Sequence, residues 1–174
     1  MRNTHQRTLP ASQDEVGALL ATAGQDGDRL WPGDRWPAMS LDGPVAVGVR
    51  GGHGPIRYAV EGYEPGRSLT FRFDRAIGMD GTHRFEVEPA AVDGGTVLRH
   101  VIEGRTHGVM LVAWPVAIRW LHDAVLEDLL DRAEQAVTGT VARPAVWSPW
   151  VHLLRRINAR LPRREPDPVR GGRR

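Results

Sequence analysis

Between residues 44 and 105 the chain alternates apolar and polar residues with period two. Turn signals interrupt the run at Gly51-Gly52-His53-Gly54, at Pro65-Gly66, from Gly78 to Gly81 and at Asp93-Gly94-Gly95. Period two is the repeat of a strand with one face buried, and Gly-rich punctuation of this kind marks hairpins. If the five segments pair through hairpins centred on those turns, Val47 falls opposite Tyr58, Val60 opposite Phe71, Phe71 opposite Phe85, and Phe85 opposite His100. Residues directly opposite share a face, and the face alternates along each strand. One face then gathers Val45, Val47, Val49, Ile56, Tyr58, Val60, Leu69, Phe71, Phe73, His83, Phe85, Val87, Leu98, His100 and Ile102. The other gathers Arg57, Glu61, Thr70, Arg72, Asp74, Arg84, Glu86, Glu88, Arg99 and Glu103. A one-residue slip in any hairpin would invert its strand, so agreement on one apolar face constrains the fold strongly. The chain must build an antiparallel sheet, polar on one side, whose other side is covered.

The cover is expected from Gly108–Thr138, which reads as one long helix. From Val109 to Leu121 it is apolar almost all round. Beyond that, Leu121, Val125, Leu126, Leu129, Leu130, Ala133 and Val137 form a single stripe. His122, Asp123, Glu127, Asp131 and Glu134 lie on the other side, which reads as a solvated face with Arg119 and Arg132 pairing to Asp123 and Asp128. Upstream, residues 3–9 suit a first strand. Ser12-Gln13-Asp14-Glu15 is a capping box opening a short helix to about Ala23, and 24–40 reads as a structured loop.

At 174 residues the chain is expected to form one domain over 1–140, followed by a distinct segment over 141–174. It has no cysteine, which excludes a disulfide framework and a thiolate metal site. The net charge of +2 conceals an asymmetry: residues 1–140 carry 14 Arg against 19 acids, and residues 141–174 carry 9 Arg against 2 acids. After Arg143-Pro144 that segment places Trp147, Trp150, Val151, Leu154, Ile157 and Leu161 at helical spacing, with Arg155, Arg156, Arg160, Arg163 and Arg164 between them. A basic amphipathic helix with tryptophans suits an anionic membrane surface, or docking or self-association through 144–164. No interleaved base-stacking platform accompanies the arginines, so nucleic acid is not the expected partner. The residues after Pro162 read as disordered. The first fifteen residues lack the apolar core of a signal peptide, and the longest apolar run, Val109–Ile118, is too short for a membrane span. The expected location is the cytoplasm, peripheral at the membrane only in the alternative that the basic helix takes a lipid surface.

The order strand, helix, meander, long C-terminal helix is accompanied by the segments HGPIRYAVEGYEPGRSLTFRF, GTHRFEVEPA, GGTVLRHVIEG and WLHDAVLEDLLDRAE. In these segments the chain resembles the START-like (SRPBCC) superfamily, and within it the polyketide cyclase/dehydrase-like members, over about residues 3–138. The resemblance implies an α+β helix-grip fold: a curved antiparallel sheet wrapped around a long helix, here with an extra amphipathic helix. It also implies an elongated cavity for a lipid-, sterol- or polyketide-like molecule, and it leaves the reaction open, since some members are enzymes and many have no assigned activity.

The expected ligand-binding residues are Tyr58, Phe71, Phe73, His83, Phe85, His100, Ile102, Met110, Trp114 and Ile118. Trp31, Trp36 and Met39 are expected near the cavity mouth together with Trp114 and Met110. His83 and His100 are the titratable groups on the apolar face and so the candidates for proton transfer, were the protein a cyclase or dehydratase. No third ligand falls beside them on that face, so neither a metal nor a cofactor is expected. Gly51-Gly52-His53-Gly54 lacks the Lys-Ser/Thr of a phosphate loop and reads as a hairpin turn. No nucleophile elbow, zinc-protease motif or dinucleotide fingerprint occurs.

Overall fold

The computed structural model describes residues 1–91 and 94–160. Seven antiparallel strands form one open sheet in the order β1-β7-β6-β5-β4-β3-β2. They are β1 (Arg2–Leu9), β2 (Met39–Leu41), β3 (Arg50–His53), β4 (Ile56–Glu64), β5 (Ser68–Phe73), β6 (Met79–Pro89) and β7 (Thr96–Thr106). Helix α1 (Gln13–Leu20) starts at the expected capping box: the Ser12 hydroxyl accepts from the Glu15 amide, and the Glu15 carboxylate accepts from the Ser12 amide. The long cover is continuous in direction but not in winding. It comprises α2 (Met110–Ala113), a π-helical turn (Trp114–Ile118) and α3 (Arg119–Thr138). Pro115 accounts for the wide turn, because it lacks an N–H and its ring clashes with the carbonyl four residues back. The loosened carbonyls find indole donors: Trp120 Nε1 donates to Pro115 O at 3.2 Å, and Trp150 Nε1 donates to Val116 O at 3.0 Å. Helix α4 (Pro149–Arg160) follows and packs on α3.

The arrangement is consistent with a helix-grip fold. The two faces of the sheet divide largely as expected, with Tyr58, Val60, Leu69, Phe71, Phe73, His83, Phe85, Val87, Leu98, His100 and Ile102 all buried. On the opposite face, Arg84, Arg99, Glu86 and Glu88 pair with one another. Two registers differ from expectation. Phe71 lies opposite His83, not Phe85, because Arg75–Ile77 forms a 3-10 turn that moves the hairpin centre. The slip is two residues, so every side chain keeps its face. The other difference removes a strand segment. Residues 44–49 turn between Pro44 and a left-handed Gly48 (φ 92°), leaving Val47 65% exposed. Gly51, not Val47, stands opposite Tyr58, and His53 is a strand residue paired with Ile56. The hairpin turn is Gly54-Pro55, so Gly51-Gly52-His53 belongs to strand β3.

The reading of the His122–Glu134 side of the long helix as solvated is overturned. Strand β1 turns Asn3, His5 and Arg7 inward, and they meet the acids of α3. Asn3 Nδ2 donates to Asp123 at 2.9 Å, His5 bonds Asp123 (3.0 Å) and Glu127 (2.7 Å), and Arg7 bonds Asp131 (2.6 Å) and Glu134 (2.9 Å). Two residues of strand advance about 6.8 Å and four residues of helix about 6 Å, so the rungs stay in step. Asp128 is also not paired with Arg132, which reaches Asp34; it is buried and held by Arg35, Trp36 and Trp147. Among the described residues no helix is long and apolar enough to cross a membrane. Leu161, Arg163, Arg164, the segment beyond Pro162 and Asp93 of the last turn signal lie outside the described residues, as does the Arg160 side chain.

Candidate functional site

The inner face of the sheet does not close fully against the long helix. A cavity of about 350 Å³ remains, walled by sheet, helix, the loop carrying Trp31 and Trp36, and α4. Phe73, Phe85 and Ile102 line it from the sheet, and Met110, Trp114 and Ile118 from the helix. Met39, Trp31 and Trp36 also line it, and their loop is fastened at both indoles. Trp31 Nε1 donates to Pro37 O (2.9 Å) and Trp36 Nε1 donates to Asp128 (2.6 Å). Tyr58 and Phe71 do not reach the cavity. Phe71 is fully buried beneath it, and Tyr58 packs on Phe71 with its hydroxyl 3.2 Å from His53 Nδ1. A larger and more open depression at the β2–β5 end carries Asp42, Arg57, Arg72, Asp74 and Arg75, and its charges are exposed to water. The mainly apolar cavity between sheet and helix is therefore the candidate site.

Four histidines line this cavity: His53, His83, His100 and His122. His83 is 7% and His100 2% exposed. The His83 ring stacks on Phe71 and Phe73, each at 4.8 Å, and His100 meets Phe85 edge-on at 4.8 Å. His83 Nδ1 and His100 Nε2 lie 3.3 Å apart. Burial, reinforced by the neighbouring histidines, pushes both well below the usual imidazole range, so both rings are neutral. In a neutral pair one N–H is spent on the internal bond, and the two outer nitrogens must be one donor and one acceptor. Those atoms, His83 Nε2 and His100 Nδ1, are buried with no partner among the described residues, and so is His122 Nδ1. A buried polar atom without a partner costs about 1–3 kcal/mol, and a ligand bearing a hydroxyl or carbonyl would remove that cost.

His53 and His122 escaped sequence reasoning, one assigned to a turn and the other to a solvated face. His53 packs on Trp31 at 4.6 Å and burial lowers its pKa to about 4. The His122 ring lies 5.3 Å from His100 and 5.7 Å from Trp114; burial lowers its pKa despite Asp123 alongside. Behind it, His5, His122 and Asp123 offer ligand atoms within 4.8 Å of one another, the spacing of a metal site. His5 already spends both ring nitrogens on carboxylates. Burial opposes its charge, but Asp123 and Glu127 prevail and raise its pKa to about 9. The cluster thus neutralises itself without an ion.

The residues assigned to a membrane or partner divide. Trp147 and Arg155 face inward: Arg155 lies over the Trp147 ring at 4.1 Å and over Trp36 at 4.4 Å. Leu154 lines the cavity, while Trp150 and Arg156 are exposed.

No protein-family model matches the sequence, and no curated protein matches it. Solved structures share the fold. A protein from Nitrosospira multiformis superposes with a TM-score of 0.60 at 12% identity, covering 79% of this chain and 97% of its own. CalU16 from Micromonospora echinospora superposes with a TM-score of 0.54 at 18% identity, covering 90% and 82%. DynU16, from the dynemicin biosynthetic locus, gives 0.53 at 20% identity over 82% of this chain and 49% of DynU16. At these identities the likeness establishes fold alone.

Proposed function

We propose that this protein binds one small, largely apolar molecule carrying a hydroxyl or carbonyl group. The apolar body lies among Phe85, Ile102, Met110 and Trp114, and the polar group bonds the His83–His100 pair. The observation that carries this reading is a mainly apolar cavity of about 350 Å³, lined also by four histidines and Asn158, in which the outer nitrogens of the His83–His100 pair have no partner among the described residues. The fold likeness to DynU16, whose gene lies in a biosynthetic locus, supports a small organic molecule as occupant. A second reading, an enzyme of the cyclase or dehydratase kind, draws on the same pair: a donor and an acceptor linked by a hydrogen bond can take a proton at one end and release one at the other.

Titration with 2-naphthol, followed by tryptophan fluorescence, tests the binding reading, with naphthalene as the compound lacking the hydroxyl. Saturable binding of 2-naphthol is expected, weakened about tenfold by His100→Phe, with naphthalene binding changed little. Absence of saturable binding by either compound, together with no co-purifying molecule in native mass spectrometry, would refute it.

A further inference from the structure

Five large apolar side chains, Val109, Leu111, Val112, Val116 and Trp120, point away from the core at 46–83% exposure. The last four sit at positions i, i+1, i+5 and i+9, one side of the helix that the sheet does not cover. On α4, Trp150 and Leu153 are likewise 38% and 45% exposed, and Ile157, which also borders the cavity, is 50% exposed, at i, i+3 and i+7. The two sets meet where Trp150 donates to the Val116 carbonyl. The inner sides of the same elements, including Trp114, Ile118 and Leu154, line the cavity. The apolar surface therefore lies on the outer side of the cavity wall. A contiguous exposed apolar patch on a folded domain marks an interaction surface.

Charge decides what fits it. From Gly104 to His122 and from Gln135 to Arg164 the chain contains no acid; Arg105 and Arg156 are exposed there, and Arg119 is exposed while also pairing with Asp123 at 3.6 Å. The rest of the domain is acid-rich. A second copy meeting this face about a two-fold axis would oppose arginine to arginine. Residues 161–174 contain only Leu161 and Val169 as aliphatic side chains, too few to cover eight. Exposed tryptophans beside arginines and aliphatic side chains are the composition that rests in an anionic lipid interface.

We propose that this face, formed by α2, the π-helical turn, the start of α3 and the outer side of α4, docks on an anionic phospholipid bilayer, laying the cavity wall against the lipid. The proposal is independent of what the cavity holds. The test is flotation of the full chain with vesicles of phosphatidylcholine alone and of phosphatidylcholine mixed with phosphatidylglycerol. Co-flotation with the mixed vesicles is expected, reduced by added salt. The double variant Leu111→Glu, Val112→Glu should lower it at least tenfold while circular dichroism and thermal midpoint stay unchanged, since both side chains are exposed. Three results would overturn the proposal. One is no flotation with the mixed vesicles. Another is equal flotation of the double variant, which would assign binding to the arginines alone. The third is a dimer in light scattering that the variant abolishes, which would assign the face to a second copy.

Discussion

Asp128 shows how much one side chain can carry. It is 3% exposed and receives Arg35 Nη1 at 2.7 Å, Trp36 Nε1 at 2.6 Å and Trp147 Nε1 at 2.9 Å. One carboxylate thus fastens to α3 both the loop that walls the cavity and the segment that leads into α4. Removing it leaves two indole N–H groups and a guanidinium without their acceptor, so Asp128→Ala should cost about 3 kcal/mol in urea unfolding. His5 makes a pH-dependent contribution. Its pKa, about 9 in the fold, stands above its ordinary 6.5. Its stabilisation is therefore complete below pH 6.5 and is lost as pH rises toward 9. The partial exposure of Asp123 and Glu127 limits the effect to about 2 kcal/mol. Unfolding measured from pH 6 to 9.5 should show that decline, and His5→Gln should flatten it. His83 and His100 act in the opposite direction. Their pKa values are depressed by burial, so they favour the fold above pH 6.5 and oppose it as the medium is acidified below that value.

At the scale of elements, the contact of β1 with α3 is a ladder of opposite charges, and that of α1 with the β4–β5 turn is a close backbone approach. A Cβ on Gly17 would collide with the Gly66 carbonyl and Cα. Alanine is ordinarily the better helix former, but here Gly17→Ala should destabilise by about 2 kcal/mol, read as a lowered thermal midpoint. The sheet was legible because period two survives an even slip: Phe71 pairs with His83 and still faces inward. The stretch from Val45 to Val49 misled because alternation alone does not reveal the turn at Val47-Gly48, beyond which Gly48 and Val49 bond Val60 of β4. The acids of α3 misled for another reason. Helical spacing showed that Asp123, Glu127 and Asp131 share a side, but not that Asn3, His5 and Arg7 of an edge strand cover it. Polar residues alternating inward on β1 carried that signal. Of the site, the aromatic wall and the histidine pair could be read from register, whereas His53, His122 and α4 enter the cavity only through tertiary packing.

In the whole molecule, a domain of net acidic sequence carries a basic helix folded back against it. Arg155 sits over Trp36 and Trp147, and Val151 is 3% exposed. Burying aspartate at that contact should release the helix: Val151→Asp is expected to cost about 2–4 kcal/mol and to increase proteolysis within α4 before the sheet is cut. Such loosening would also open one wall of the cavity, through Leu154 and Ile157. The cavity and its neutral histidine pair remain the centre of the account. Long-range 1H–15N spectra of the histidine side chains report tautomer and hydrogen bonding atom by atom. At pH 7 His83 and His100 should each show a neutral ring, and 2-naphthol should move the resonances of His83 Nε2 and His100 Nδ1 while leaving His107 and His152 in place. A charged ring at either position, or saturating 2-naphthol with no change at both, would contradict it.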